Sequence, residues 1–244
     1  MRSLKSELVR MVVRARQIAI TDGVLRVPRR VVLRFGRALR RRTPVVNAEC
    51  ADIDRRFGIE TALPVPLHKM SLPDRVYPDA VEYQPTPPSV FTRILKDLPV
   101  QLDRFTFVDV GCGKGLVLLL AADHPFERIV GIDCAPEMCA QALRNLSGYC
   151  NPGQRCHSID ILCMDAGDYS FPQKELVIYL FNPFGVRVIR RVLTNLFARG
   201  PQETWIVYYN PVFWKDLDKS PNLIRHIATE SYIIYRSKKP LVEV

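Results

Sequence analysis

The 244-residue sequence contains no run of 18 or more consecutive apolar residues, so no segment is able to cross a bilayer as a helix. Its seven cysteines, at 50, 112, 134, 139, 150, 156 and 163, include no C-x-x-C pair. Their odd number and irregular spacing argue against a disulfide framework and suit reduced thiols in a cytosol. Cys150, Cys156, His157 and Cys163 come close in sequence, but at spacings wider or odder than those of structural zinc sites, and no metal is expected. No internal repeat is present. A secretory signal is not expected either, because arginine interrupts the N-terminal apolar stretches every few residues and no cleavage-like site follows.

Apolar residues make up 48% of the chain, enough for one core of ordinary size plus an extension. The net charge of +10 is unevenly placed. Residues 1–42 hold thirteen Lys and Arg against Glu7 and Asp22, a net +11, while the other 202 residues carry 22 basic and 23 acidic side chains. Attraction to phosphate or anionic lipid is therefore expected of this arm alone. Within it Leu4, Leu8, Met11, Val12, Ala15, Ile18 and Ala19 recur at helical spacing. A second basic helix is predicted from Pro28, with Val31, Val32, Phe35, Ala38 and Leu39 on one face. The basic helical arm, 1–42, reads as a solvated helical pair, as a binding arm for an anionic membrane surface or nucleic acid, or as an organellar transit peptide. The expected location is the cytoplasm, with peripheral attachment to a membrane left open.

Residues 43–82 are proline-rich, lack a lasting period, and read as a linker wrapping the domain that follows. A helix is predicted to start within "YQPTPPSVF", with Thr86 as its N-cap, Pro87 in the first turn and Val90, Phe91, Ile94, Leu95 and Leu98 on its apolar side. From residue 105 strands and helices alternate, the pattern of a mostly parallel sheet covered on both faces. Strands are predicted at about 105–110, 128–132, 158–163, 176–181 and 204–209, and helices at about 115–123, 135–146 and 186–198. "LIRHIATESYIIYR", 223–236, leaves no room for a crossover helix and should close one edge as an antiparallel hairpin.

The first strand runs into "VDVGCGKG" and then a helix. Gly111, Gly113 and Gly115 permit a sharp turn and let a ligand approach the backbone at the carboxyl edge of the sheet, where open α/β folds bind ligands. A dinucleotide fingerprint would need Gly or Ala where Leu116 stands, and a P-loop would need Ser or Thr where Gly115 stands. Asp109, two residues before the first glycine, would repel a pyrophosphate and hold an ammonium group. Asp133 ends the second strand, 18 residues beyond Gly115, close to the spacing of an acid that grips a ribose diol. Asp165 ends the third strand in "ILCMDAGDYSFP" and is placed to accept from an exocyclic amine. Ammonium, ribose and adenine are the handles of S-adenosylmethionine. Each acid alone could equally cap a helix or form a turn; their order at successive strand ends favours the ligand.

At these residues the sequence resembles the class I, seven-stranded, Rossmann-like S-adenosylmethionine-dependent methyltransferases, over about residues 83–236. "VDVGCGKG" is similar to their first motif, "GIDCAPEMCAQA" to their acidic second strand end and "MDAGDYSF" to their adenine-contacting third. "YQPTPPSVF" and "YLFNPFG" resemble a poorly characterised bacterial subgroup, distantly similar to seven-stranded lysine methyltransferases. The resemblance implies strand order 3-2-1-4-5-7-6, a methyltransferase domain over 83–244, and S-adenosyl-L-methionine as cofactor. It implies contacts from Asp109, Gly111, Gly113, Gly115, Asp133, Cys134, Asp165 and Ala166, with Tyr83 and Thr86 folding over the pocket. In relatives carrying Asn/Asp-Pro-Pro-Tyr/Phe after the fourth strand, the Asn oxygen and a Pro carbonyl accept from the substrate's NH groups. This chain has Asn182-Pro183-Phe184, one proline fewer, with Phe184 available to stack on a planar group or a cation. "YYNP" at Asn210 and Pro211 shows that Asn-Pro can also simply turn the chain.

Methyl transfer from a sulfonium needs alignment and a dry site more than strong acid or base chemistry. No base stands out, since His68, His124, His157 and His226 are scattered. The expected activity is methyl transfer to nitrogen of a protein side chain or other amine. The alternatives are O- or N-methylation of a small metabolite or glycan, aminopropyl transfer on the same fold, and a non-catalytic, membrane-recruited partner protein.

Overall fold

A computed structural model describes residues 46–72, 77–198, 200 and 202–238; the basic helical arm expected over 1–42 lies outside the described residues. Seven strands form one sheet in the order β3-β2-β1-β4-β5-β7-β6. They are β1 (Thr106–Val110), β2 (Arg128–Asp133), β3 (Ile159–Cys163), β4 (Leu176–Phe181), β5 (Thr204–Tyr209), β6 (Leu223–Ala228) and β7 (Tyr232–Ser237). The first five run parallel, and β7 lies antiparallel to both β5 and β6. This is the class I methyltransferase topology, with strands within a residue or two of their predicted positions and the final hairpin where "LIRHIATESYIIYR" required it.

Alternation along each strand sorts the core into two layers. Phe107, Ile129, Val177, Tyr179, Val207 and Ile234 face one side, where α2 (Pro88–Asp97) and α3 (Leu116–Ala122) supply Phe91, Ile94, Val117 and Leu118. Val108, Val110, Ile132, Ile178, Leu180 and Ile206 face the other, against Val188, Ile189, Val192 and Leu196 of α5 (Val186–Ala198). Helix α4 (Pro136–Gly148) packs on β2 and β3, and the short α6 (Trp214–Asp218) on β6. All five residues of β1 are buried, so its carboxyl end opens only upward, toward the loops.

Two expectations are corrected here. The segment read as a wrapping linker without a lasting period contains α1 (Ala48–Phe57), which opens with the Asn47 side chain accepting from Cys50 N (3.1 Å) and closes at left-handed Gly58 (φ 66°). Only Cys50 of α1 is fully buried, and its apolar face is the short set Cys50, Ile53 and Phe57 among charged residues, too brief to stand out as a lasting period. Thr86 does not cap α2. Pro87 is the N-cap, without a side-chain hydrogen bond, and Pro88 is the first helical residue. Thr86 is 2% exposed, and its hydroxyl pairs with the buried Tyr179 hydroxyl at 2.8 Å; that phenol would otherwise lie unsatisfied in the core.

Segment 59–72 and the chain from Tyr77 to Pro87 fold back over the carboxyl edge of the sheet. Val65 and Tyr83 form an antiparallel bridge, as do Ala80 and Phe184. Asp54 accepts from Thr61 N, Thr61 Oγ1 and Ala62 N at 2.7–2.8 Å. Asn145, from α4, accepts from Glu60 N (2.9 Å) and donates to both Glu60 O (3.0 Å) and Lys114 O (2.9 Å). The buried Lys114 ammonium pairs with exposed Glu60 at 2.8 Å.

Candidate functional site

The carboxyl ends of β1, β2 and β4 and the returning segment enclose a divided cleft. The larger cavity, about 770 Å³ counting its open mouth, is lined by Gly111, Gly113, Asp133, Cys134, Asp165, Ala166, Asn182, Pro183 and Phe184, with Met70, Leu72 and Glu82 opposite. A smaller one lies between Asp109, Thr86, Tyr179 and Phe181. Tyr83, Gln84, Gly111 and Phe181 border both. Every sequence-predicted site residue except Gly115 therefore lines one of the two cavities. Gly115 instead begins α3 in the left-handed region (φ 83°) and packs against Ala142 of α4.

Gly111 and Gly113 have a reason the sequence did not disclose. Both have positive φ, 91° and 53°. A Cβ on Gly111 would overlap the Pro183 ring, and one on Gly113 would overlap the Tyr83 ring. The space left by these glycines is taken by the chain's own side chains, which brings the segment after β4 and the returning segment down onto the loop after β1. Tyr83 is held there by its hydroxyl donating to Thr61 O (2.9 Å) and by Lys114 Nζ 5.7 Å above its ring.

Asp109 is 3% exposed, and its carboxyl has no hydrogen-bond or ion-pair partner among the described residues. Burial, and then the charge of Asp133, push its carboxyl well above the usual carboxylate range. A buried acid with unused acceptors is unfavourable unless something cationic completes it. Asp133 accepts from Gly113 N through Oδ2 and from Ala135 N through Oδ1, each at 2.9 Å. Burial raises its pKa, against those backbone donors. The remaining lone pairs of its two oxygens can take a diol. Asp165 is more engaged than expected. It caps the short 3-10 helix Ala166–Asp168 by accepting from Gly167 N (2.9 Å), and pairs with Arg191 at 3.2 Å. Arg191 also pairs with Asp168. Nothing in sequence spacing links Arg191, on α5, to this strand end.

Asn182 adopts a left-handed conformation (φ 43°), as does Asn210 (φ 47°) at the matching end of β5; asparagine tolerates that region better than most residues. The Tyr208 hydroxyl accepts from Phe213 N (3.2 Å) and donates to Asn182 Oδ1 at 3.4 Å. Phe184, read as a stacking surface, is only 7% exposed and packs in the core layer around α5. Its bridge to Ala80 turns the ring inward, so it forms part of the cavity wall rather than a free platform.

The donor set fits the expected cofactor: an orphaned buried carboxylate for the ammonium, a half-buried carboxylate at the next strand end for the ribose, and apolar walls between. Residues 107–198 match the sequence profile described as a methyltransferase domain, at the level of the family and without a subgroup. No curated protein matches the chain. Among solved structures, the chain is similar to an RNA methyltransferase from Salinibacter ruber in complex with S-adenosyl-L-homocysteine, at 20% identity, 64% of this chain, 94% of that one and a TM-score of 0.46. It is also similar to a precorrin-6y C5,15-methyltransferase from Geobacter metallireducens, at 16% identity, 71% of this chain, 99% of that one and a TM-score of 0.49. A third is an N-methyltransferase from Bradyrhizobium japonicum, at 15% identity, 62% and 95% coverage and a TM-score of 0.44. At these values the three likenesses carry nothing about the acceptor. A methyltransferase profile laid over a sheet ordered 3-2-1-4-5-7-6 leaves one assignment for this region: residues 107–198 form a methyltransferase domain, on the class I S-adenosylmethionine-dependent methyltransferase fold.

Proposed function

We propose that the methyl acceptor is a nitrogen, on a protein side chain or another amine, and that it is held at Asn182. The observation that carries this reading is the fixing of Asn182 in a left-handed turn at the cavity wall. The Tyr208 oxygen already accepts from a backbone N–H, so its hydrogen is directed at Oδ1. That orients the amide and leaves a second Oδ1 lone pair for an acceptor N–H.

Asp109 and Asp133 would hold S-adenosylmethionine at its ammonium and ribose ends, with Asp165 and Ala166 beside the base. When bound, the cofactor supplies a methyl group on a sulfonium. Pro183 and Tyr83, seated on Gly111 and Gly113, narrow the cleft, and a bound cofactor filling the remainder would leave little room for water. An amine must first shed its proton to expose a lone pair. No histidine lines the larger cavity among the described residues, whereas Glu82 does, exposed and accepting from Gln84 Nε2 at 2.9 Å. Its carboxylate can hold a cationic amine at the mouth.

Incubating the full chain with cell lysate and methyl-labelled S-adenosylmethionine, then separating protein, nucleic acid and small molecules, tests the reading. Label stable to mild base in protein or in an amine is expected. Label released by mild base as from an ester, or confined to hydroxyl oxygens, would overturn it.

A further inference from the structure

Three cysteines surround Asp133, and two of them, Cys139 and Cys163, have no part in the methyl-transfer reading. Cys134 follows it, Cys139 lies one turn into α4, and Cys163 is its register partner on β3. The Cys139 thiol donates to the Asp133 backbone carbonyl at 3.4 Å, and Cys163 stands beside Asp133 on the paired strand. Partners in register on neighbouring parallel strands point their side chains to the same face of a sheet, which here is the face α4 covers. Cys163 is exposed, whereas Cys139 is buried. Burial first, then its neighbours Cys163 and Asp133, keep the Cys139 thiol protonated to well above its ordinary range.

We propose that Cys139 and Cys163 are an oxidation site, at which a hydroperoxide closes a disulfide against the backbone of Asp133. Exposed Cys163 reacts first. Its thiolate sulfur attacks one peroxide oxygen, the O–O bond breaks, and the other oxygen leaves as alcohol or water, giving a sulfenic acid. The negative charge that held the Cys139 proton is then gone from its neighbour. The Cys139 sulfur attacks the sulfenic sulfur, the S–O bond breaks, and the hydroxide leaves as water with the Cys139 proton. Two thiols have lost two electrons and two protons, and the hydroperoxide has become an alcohol and water.

The consequence for the cofactor rests on the proposed role of Asp133. Its carboxylate is held by Gly113 N and Ala135 N, and its carbonyl by Met164 N at 2.8 Å and by the Cys139 thiol as a second donor. A disulfide removes that thiol donor and ties the first turn of α4 to the end of β3. The acid is then held less well for a ribose, and affinity for S-adenosylmethionine should fall about fivefold to tenfold, the loss of roughly one hydrogen bond.

The full chain is treated with hydrogen peroxide, alkylated, digested and mapped by mass spectrometry, and cofactor affinity is measured by calorimetry before oxidation, after it, and after dithiothreitol. A Cys139–Cys163 crosslink, absent from Cys163→Ser, and an affinity drop reversed by dithiothreitol and missing in that variant are expected. Oxidation without the crosslink, or pairing of Cys163 with Cys134 instead, would overturn the site. A crosslink with unchanged affinity would overturn its coupling to Asp133. Reduced protein that binds no cofactor would overturn the role of Asp133 as a ribose-holding acid while leaving the crosslink result standing.

Discussion

Replacing Asp109 by asparagine keeps the shape of the side chain and removes its charge. The acid is 3% exposed, and its pKa is raised by burial and by Asp133. The folded chain therefore binds a proton here that the unfolded chain, with a carboxyl pKa of about 3.9, has already lost. Stability contributed by this group is full below that unfolded value. It falls as pH rises toward the raised one, by about 1.4 kcal/mol for each pH interval of one between the two. Asp109→Asn is free of that loss. At pH 7 its Tm should exceed that of the wild type, by about 2–4 °C for each kcal/mol recovered in a domain of this size, and the gap should close as pH is lowered. Binding should change the other way. Removing one partner of a buried ion pair costs about 2–5 kcal/mol, so affinity for S-adenosylmethionine should weaken roughly 30-fold to several thousandfold. The wild type should also release a proton on binding, so its affinity should rise with pH and its calorimetric heat should vary with the ionisation enthalpy of the buffer. An asparagine variant that binds within twofold of wild type, or melts lower at pH 7, would refute the argument.

Gly113→Ala meets both a left-handed backbone and the Tyr83 ring, whereas Gly58→Ala (φ 66°) has no atom within 4 Å of the new Cβ. Urea unfolding should show the Gly113 variant destabilised by about 2–4 kcal/mol and the Gly58 variant by about 1; equal losses would mean that Tyr83 is not seated there. Thr86→Val leaves the Tyr179 hydroxyl without its partner and should cost about 1–3 kcal/mol, most of it recovered on adding Tyr179→Phe. A double variant no more stable than the single one would contradict this. Deleting residues 1–42, which carry a net +11, should leave cofactor affinity unchanged and reduce attachment to anionic vesicles or RNA in a salt-dependent way. Equal attachment with and without the arm would count against an electrostatic role for it.

The parallel strands are legible in the sequence because each is an apolar run bounded by a turn or a charge, and burial on both faces leaves that signature in the residues themselves. Asp109, Asp133 and Asp165 are legible as a set for the same reason: a strand end is a local event. What cannot be read locally depends on partners far along the chain. The glycines are visible, but not that Pro183 and Tyr83 fill the space above two of them. Thr86 looks like a helix cap because the competing phenol, Tyr179, is 93 residues away. Helix α1 leaves only a short apolar stripe, Cys50, Ile53 and Phe57, among charged residues. Arg191, Asn145 and Tyr208 each act across a distance in sequence that no motif spans.

The segment that closes over the sheet is tied mostly to parts of the chain made after it. Glu60 waits for Lys114 and Asn145, Asp79 for Gly185 and Arg187, and Thr86 for Tyr179. During synthesis it leaves the ribosome long before any of these anchors exists, so it can settle only once the fourth strand and the helix beyond it have emerged. A nascent chain halted short of residue 187 would expose the carboxyl edge of its young sheet, and the last native contacts to form would be those that shut the cleft.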